Sequence, residues 1–185
     1  MKVQAVREII GKFVPDGGVR ADLTSAAVMI TIFVVSEELF VILNRRTRTL
    51  PRHKGEVCFP GGTMDCKDPD LRYTALRELN EEMGISPNEV EVFGSIGNVQ
   101  TNTGFDITPF VGFINYPYTY EVNEDEVESI IEFPIENIFG DQCERSLISD
   151  NEYPVFEFDG DIVFGATARI LSDFCNLIAP AIIKE

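Results

Sequence analysis

Apolar and polar positions along the chain fall into segments of two periods. The opening "MKVQAVREIIGKF" reads as an amphipathic helix, and "VPDGGVRAD" (14–22) as the loop that separates it from the body. "VMITIFVV" (28–35) and "LFVILNRR" (39–46), joined around "SEE", predict two strands of a hairpin. "EVCFPGG" (56–62) predicts a short strand ended by a Pro-Gly-Gly turn. Between Asp70 and Met83 the apolar residues Leu71, Ala75, Leu76, Leu79 and Met83 keep helical spacing, and Gly84 is the stop signal. "EVEVFGSIGNV" (89–99) and "ITPFVGFINY" (107–116) are strand-like, and "VESIIEFPIENIF" (127–139) joins an apolar stretch to a short helix after Phe133. "YPVFEF" (153–158) and "DIVFGA" (161–166) predict a second hairpin around Asp159-Gly160, followed by a helix over "ATARILSDFCNLI" (166–178). Strands and helices are interspersed without regular βαβ alternation, so an α/β fold with a mixed sheet covered by helices is expected rather than a doubly wound parallel sheet.

Composition narrows the class. At 185 residues, 44% hydrophobic and 25% charged, the chain has the length and make-up of one ordinary soluble domain with extensions. The longest apolar run, "AAVMITIFVV" (26–35), is too short to span a bilayer, and the N-terminus lacks the continuous apolar core of a secretory signal. Cys58, Cys66, Cys143 and Cys175 contain no CxxC pair, which argues against a zinc cage or disulfide framework and for a reducing compartment. A net charge of −16 argues against general affinity for nucleic acid or anionic membranes. Within that acidic chain, Arg45, Arg46, Arg48, Arg52 and Lys54 fall in ten positions, with His53 among them. Such a segment is either a solubilising loop or a place to hold a small, highly charged anion.

The chemistry centres on "RELNEEMGI" (77–85). Glu78, Glu81 and Glu82 stand at i, i+3 and i+4, so their carboxylates share one helix face, where like charges oppose the helix by about 0.2–0.5 kcal/mol per pair. Solvent can dissipate that repulsion, or a cation can sit among them. A hard divalent ion such as Mg²⁺ takes oxygen ligands from one or two carboxylates, waters and substrate phosphate. An EF-hand-like calcium loop at Asp65, Asp68 and Asp70 is rejected, because the spacing is wrong and the required glycine is missing.

The segment resembles the Nudix box, whose pattern is G, five residues, E, seven residues, then R-E-U-x-E-E-x-G-U with U aliphatic. Arg77, Glu78, Leu79, Glu81, Glu82, Gly84 and Ile85 match every specified position of its second half. Counted from Gly62, the upstream glutamate is replaced by Asp68, and eight residues rather than seven separate it from Arg77. In the family that acid braces the box arginine; here both Asp68 and Asp65 are candidates. The one-residue extension, with Thr74-Ala75, is similar to the coenzyme A diphosphatase subfamily. So is "LPRHKGEVCFPGG" (50–62), which follows that subfamily's L-R-x-H-x-G-[QE]-V-x-F-P-G-G motif except that Pro51 stands at the arginine position, with Arg52 one residue along. The likeness continues through "DITPFVGFI" and "NEDEVESIIEFPI" and weakly into "FGATARIL". It covers roughly residues 25–178, leaving an N-terminal helix and loop over 1–24 and a tail over 179–185.

The resemblance implies a Nudix fold, an α/β/α sandwich whose box forms a loop–helix–loop beside a mixed sheet. It implies Mg²⁺ or Mn²⁺ and hydrolysis of CoA or acyl-CoA to 3′,5′-ADP and (acyl-)4′-phosphopantetheine. Glu78 and Glu82 would hold the metal, with Glu81 an additional ligand, and Arg77 would orient the carboxylates. Glu126, in "NEDEV", is the candidate for activating water, although a solvated acid among Glu124, Asp125 and Glu128 is an equal reading. Arg46 and Arg52 are the candidate phosphate contacts, with His53, Gly61 and Gly62 at the substrate; guanidinium groups suit bidentate phosphate recognition. The implied partner is a small-molecule substrate, with neither nucleic acid nor membrane, bound by a monomer or homodimer. Alternatives are a Nudix hydrolase of ADP-ribose or a dinucleotide, and a non-catalytic Nudix scaffold. Some relatives are peroxisomal, but "IKE" is not a Ser-Lys-Leu type ending, so the cytoplasm is the default expectation.

Overall fold

A central mixed sheet organises the computed structural model, which describes residues 2–15, 20–49, 53–139 and 154–182. In chain order its elements are α1 (Lys2–Lys12), β1 (Thr24–Val35), β2 (Glu38–Arg46), β3 (Val57–Cys58), β4 (Gly61–Thr63), α2 (Leu71–Met83), β5 (Glu91–Ser95), β6 (Val99–Gln100), β7 (Phe105–Phe113), β8 (Val127–Pro134), β9 (Phe156–Phe158), β10 (Asp161–Val163) and α3 (Gly165–Ile182). Short 3₁₀ turns cover Pro87–Glu89 and Ile135–Ile138. The sheet runs β3-β2-β1-β7-β5, with β4 also on β1, β6 on β7 and β8 on β2. β1 and β7 are parallel over Thr24↔Phe105 to Ile32↔Phe113; the other pairings are antiparallel.

β1 reads as an unbroken apolar run because both of its faces are covered. Ala27, Met29 and Phe33 meet Ala75, Leu79 and Met83 of α2 on one side. Ile30 and Ile32 meet a larger core on the other, with Val6 and Ile10 of α1 and Ile170, Leu171, Phe174 and Ile178 of α3. The result is the three-layer α/β/α arrangement of a mixed sheet between helices. Leu79 is fully buried, and truncating such a residue to alanine costs about 2–5 kcal/mol.

α2 starts where Asp70 caps it, its carboxylate accepting from the Tyr73 amide at 2.7 Å, and ends at Gly84 in the left-handed conformation with φ 70°. The hairpin expected after residue 153 is β9–β10, turning at Asp159 (φ 49°) and Gly160 (φ 83°). The helix expected over 166–178 runs from Gly165 to Ile182.

One expectation is corrected. Gly61 and Gly62 do not form a turn; they are the start of β4, paired with Val28 and Ala27 of β1. The strand expected over 56–62 is interrupted at Phe59-Pro60, and the two glycines then lie flat on β1. A Cβ on Gly61 would stand 2.7 Å from Val28 Cα and against the Ala27 carbonyl oxygen. The close backbone approach is between chain segments, and only glycine permits it.

Candidate active site

Three elements bring the polar residues together: the buried edge of α2, the C-terminal end of β2 and the strand β4. The residue bracing Arg77 of α2 is Asp68, in the loop that precedes the helix. Its Oδ2 accepts from Arg77 Nη2 at 3.0 Å and from Thr74 Oγ1 at 2.9 Å, while its Oδ1 accepts from Arg77 Nε at 3.1 Å. The Asp65 amide donates to Asp68 at 3.0 Å, but the Asp65 carboxylate turns away and accepts from the Lys67 amide. The Arg77 guanidinium holds the Asp68 carboxyl down at about 2, and its own pKa is raised in return.

Arg77 then reaches forward. Its Nη1 donates to Glu78 Oε1 and to Glu81 Oε2, both at 2.8 Å. Glu78 is largely buried against Gly62, whereas Glu81 is exposed at the rim. Glu82 points into the protein at 2% exposure. Its Oε2 accepts from Asn44 Nδ2 at 2.5 Å, and its Oε1 lies 3.9 Å from Arg46 Nη1. Burial, and after it the charge of Glu78, pushes the Glu82 carboxyl up to about 8; burial likewise raises Glu78. Glu126, in the turn before β8, adds its negative charge to both. That turn is pinned to the end of β2: the Thr47 amide donates to the Glu126 carbonyl at 2.9 Å, and Thr47 Oγ1 to the Asp125 carbonyl at 3.0 Å.

The basic segment divides its work. Arg45 pairs with Asp161 of β10 and donates to the Gly55 carbonyl at 3.4 Å, tying the second hairpin to the sheet. Arg46, on the opposite side of β2, faces Glu82, and its buried Nε has no hydrogen-bond partner among the described residues. Arg48 is exposed, its stem near Gly55. His53 is half-exposed with φ 56°, its Nδ1 2.9 Å from Glu56 Oε2. Arg52 lies outside the described residues.

Beside Arg46 and Gly61 opens a cavity of about 400 Å³ whose walls are mostly apolar, with Phe59, Phe105, Ile107 and Phe164 among them and His53 at its rim. The reading of residue types did not single out Asn44 or this apolar chamber, and it gave Thr74 no role. The signal for Asn44 was its place: alternation along β2 sets it on the same face as Ile42 and Arg46, where a polar residue needs a buried partner.

The donor set suits a hard divalent cation. It is all oxygen and partly buried; desolvation first, and neighbouring carboxylate charge after it, raises Glu78 and Glu82, a cost that a bound cation would offset. Among the described residues no three acidic, histidine or cysteine side chains already converge as a cage; Arg77 holds Glu78 and Glu81.

A model of the NUDIX domain family matches residues 23–142, and the chain belongs to that family. An uncharacterized Nudix hydrolase NudL of Cronobacter sakazakii is 42% identical over 110 residues, 60% of this chain and 57% of the relative. A protein of Caenorhabditis elegans named peroxisomal coenzyme A diphosphatase ndx-8 is 38% identical over 138 residues, 72% of this chain and 59% of the relative. The matched regions thus span less than two thirds of either relative's length. Among solved structures, a C. elegans Ap4A hydrolase in a binary complex superposes with a TM-score of 0.58 at 15% identity, covering 85% of this chain and 99% of the other. A MutT protein from Methanosarcina mazei gives 0.56 at 16% identity, covering 90% and 100%. Both likenesses establish the Nudix fold. Among the described residues no helix is long and apolar enough to cross a membrane.

The bracing pair makes a prediction about acid. A carboxyl whose folded pKa is depressed contributes stability that is present above its ordinary value of 3.8 and is lost as pH falls toward about 2. Asp68→Asn lacks that contribution at every pH. Melting curves of the two proteins should therefore differ most above pH 4 and draw together toward pH 2; a gap that stays constant across that range would contradict the pairing.

Proposed function

We propose that this chain hydrolyses the diphosphate of coenzyme A and acyl-CoA, giving 3′,5′-ADP and (acyl-)4′-phosphopantetheine. The observation that carries the reading is the placement of Arg46 between the buried carboxylates and an apolar chamber. A substrate with a central diphosphate and a bulky organic arm fits that order of surfaces: the phosphates against the guanidinium, the arm in the chamber. The motif at 50–62 and the 38% identity to the nematode protein named a coenzyme A diphosphatase support CoA as the carrier of that diphosphate.

Glu78 and Glu82 would hold Mg²⁺ or Mn²⁺, with Glu81 the third carboxylate of the set. When bound, the ion polarises phosphoryl oxygens and lowers the pKa of its water. The chain's own groups do the rest. Asp68 fixes Arg77, and Arg77 in turn holds Glu78 and Glu81 to one edge. Arg46 takes a phosphate oxygen through its guanidinium, whose Nε has no hydrogen-bond partner among the described residues. Glu126 accepts the proton of the attacking water, whose oxygen forms the new P–O bond as the bridging P–O bond breaks. His53 and Gly61 line the chamber, and Gly62 lies against Glu78.

Product identification after incubation with CoA and Mg²⁺ tests the proposal. The expected products are 3′,5′-ADP and 4′-phosphopantetheine, with CoA turned over at least tenfold faster than ADP-ribose or NADH. Equal rates on all these substrates would remove the CoA assignment and leave a broad nucleoside diphosphate hydrolase. No turnover of any would favour a binding scaffold.

A further inference from the structure

We propose that Asn44, set by Cys58, is a positioning residue that fixes the rotation of the Glu82 carboxylate so that one oxygen is held by the protein and the other faces Arg46; this rests on the metal-dependent reading above. Asn44 is fully buried in the middle of the sheet, on the face that α2 covers. Its Nδ2 donates to Glu82 Oε2 at 2.5 Å, and its Oδ1 accepts from Cys58 Sγ at 2.8 Å. Cys58 is the direct cross-strand partner of Asn44 in the β2–β3 pairing, so sheet register alone places the thiol beside the amide.

The order of donors matters. An amide can present either its oxygen or its NH₂ to a neighbour. The thiol hydrogen needs an acceptor, which turns the amide oxygen toward sulfur and leaves the NH₂ group for the carboxylate. Reversed, the amide would set oxygen against oxygen at Glu82. Burial keeps Cys58 in its thiol form, with its pKa pushed up to about 12, so the donor persists across the working pH range. Glu82 thereby commits Oε2 to the protein, and Oε1 remains 3.9 Å from Arg46 Nη1. Asn44 and Arg46 sit two residues apart on one strand, so the carboxylate and the phosphate contact share a rigid support. Hydrogen bonds that orient a metal-binding side chain typically change affinity or activity by about 10–100-fold.

The test uses Mn²⁺ alone, titrated into the full chain and followed by the loss of the free-ion EPR signal. Relative to the wild type, Asn44→Leu should bind Mn²⁺ about 10–100-fold more weakly. On CoA its kcat should fall while KM changes less than about threefold. Cys58→Ala should weaken Mn²⁺ by several-fold, and Cys58→Ser, whose hydroxyl keeps the donor, should restore it to within about twofold of wild type. A folded Asn44→Leu protein with wild-type Mn²⁺ affinity overturns the proposal. If that variant does not fold, the cysteine pair decides: equal affinity for Cys58→Ala and Cys58→Ser overturns it, and the ordered difference upholds it. A wild-type chain that binds no Mn²⁺ removes the metal reading itself, a result distinct from a failure of Asn44 alone.

Discussion

Glu82→Gln is expected to abolish most hydrolysis and yet raise the thermal stability of the metal-free protein. Glu82 is the most deeply buried of the three box glutamates, and among the described residues its carboxylate has Asn44 as its one close donor, with Arg46 at 3.9 Å. If it anchors the cation, its loss removes several kcal/mol of transition-state charge stabilisation, and kcat should drop by about 10³-fold or more. The same carboxylate is a liability without metal. Its ordinary pKa of 4.5 is raised to about 8 in the fold, so the neutral form is the one the fold favours. The contribution is full below about pH 4.5 and is lost as pH rises toward 8. Glutamine keeps an oxygen for the Asn44 amide and carries no charge. In EDTA at pH 8–9 the variant should therefore melt several degrees above wild type, with the gap closing toward pH 5. Added Mg²⁺ should raise the wild-type Tm and leave the variant almost unmoved. A variant that loses activity and stability together, in the absence of metal, would show that Glu82 serves the fold and not the ion.

The residues that identify the site were readable because they lie on one continuous helix. Spacing alone puts Glu78, Glu81 and Glu82 on a shared face, and Leu71, Ala75, Leu79 and Met83 dock that helix on the sheet. What spacing could not separate is which of them points inward. Glu82 lies nearest the apolar stripe and is buried, whereas Glu81 reaches only the rim and Arg77. The choice between Asp65 and Asp68 was likewise open, because it depends on the fold of a four-residue loop: the Asp65 amide closes on Asp68, and that closure aims the Asp68 carboxylate at Arg77.

Strand parity carried more than was drawn from it. The run "LNRR" at the end of β2 looks like a uniform basic cluster, yet alternation sends Arg45 to Asp161 and Arg46 to Glu82, with Asn44 on the Arg46 side. The parallel pairing of β1 with β7 spans some eighty residues of sequence and has no local signature. Glycine is depleted in strands, so local preference argued against β4 as well; it exists because two residues without side chains fit between β1 and α2.

That fit separates stability from chemistry at two adjacent positions. A methyl group on Gly61 would press on the Ala27 carbonyl and stand 2.6 Å from Val28 Cγ1 and 2.7 Å from Val28 Cα. Those atoms belong to the central strand and cannot withdraw. Gly61→Ala should cost about 3 kcal/mol or more and lower Tm by about 6–12 °C. A methyl group on Gly62 meets a different neighbour: it would stand 2.6 Å from Glu78 Cδ and 2.9 Å from Oε2. The end of a glutamate side chain can swing aside, so the strand survives while the carboxylate leaves its place against β4. Displacing a reacting group by about 1 Å can cost about 10²-fold in rate. Gly62→Ala should therefore melt within about 3 °C of wild type while losing about a hundredfold in kcat and binding Mn²⁺ more weakly. Thermal melts and steady-state kinetics on both variants would read the contrast. Should Gly62→Ala keep full activity, Glu78 would have no part in holding the ion, and the carboxylate set would have to be sought in Glu82 and Glu126.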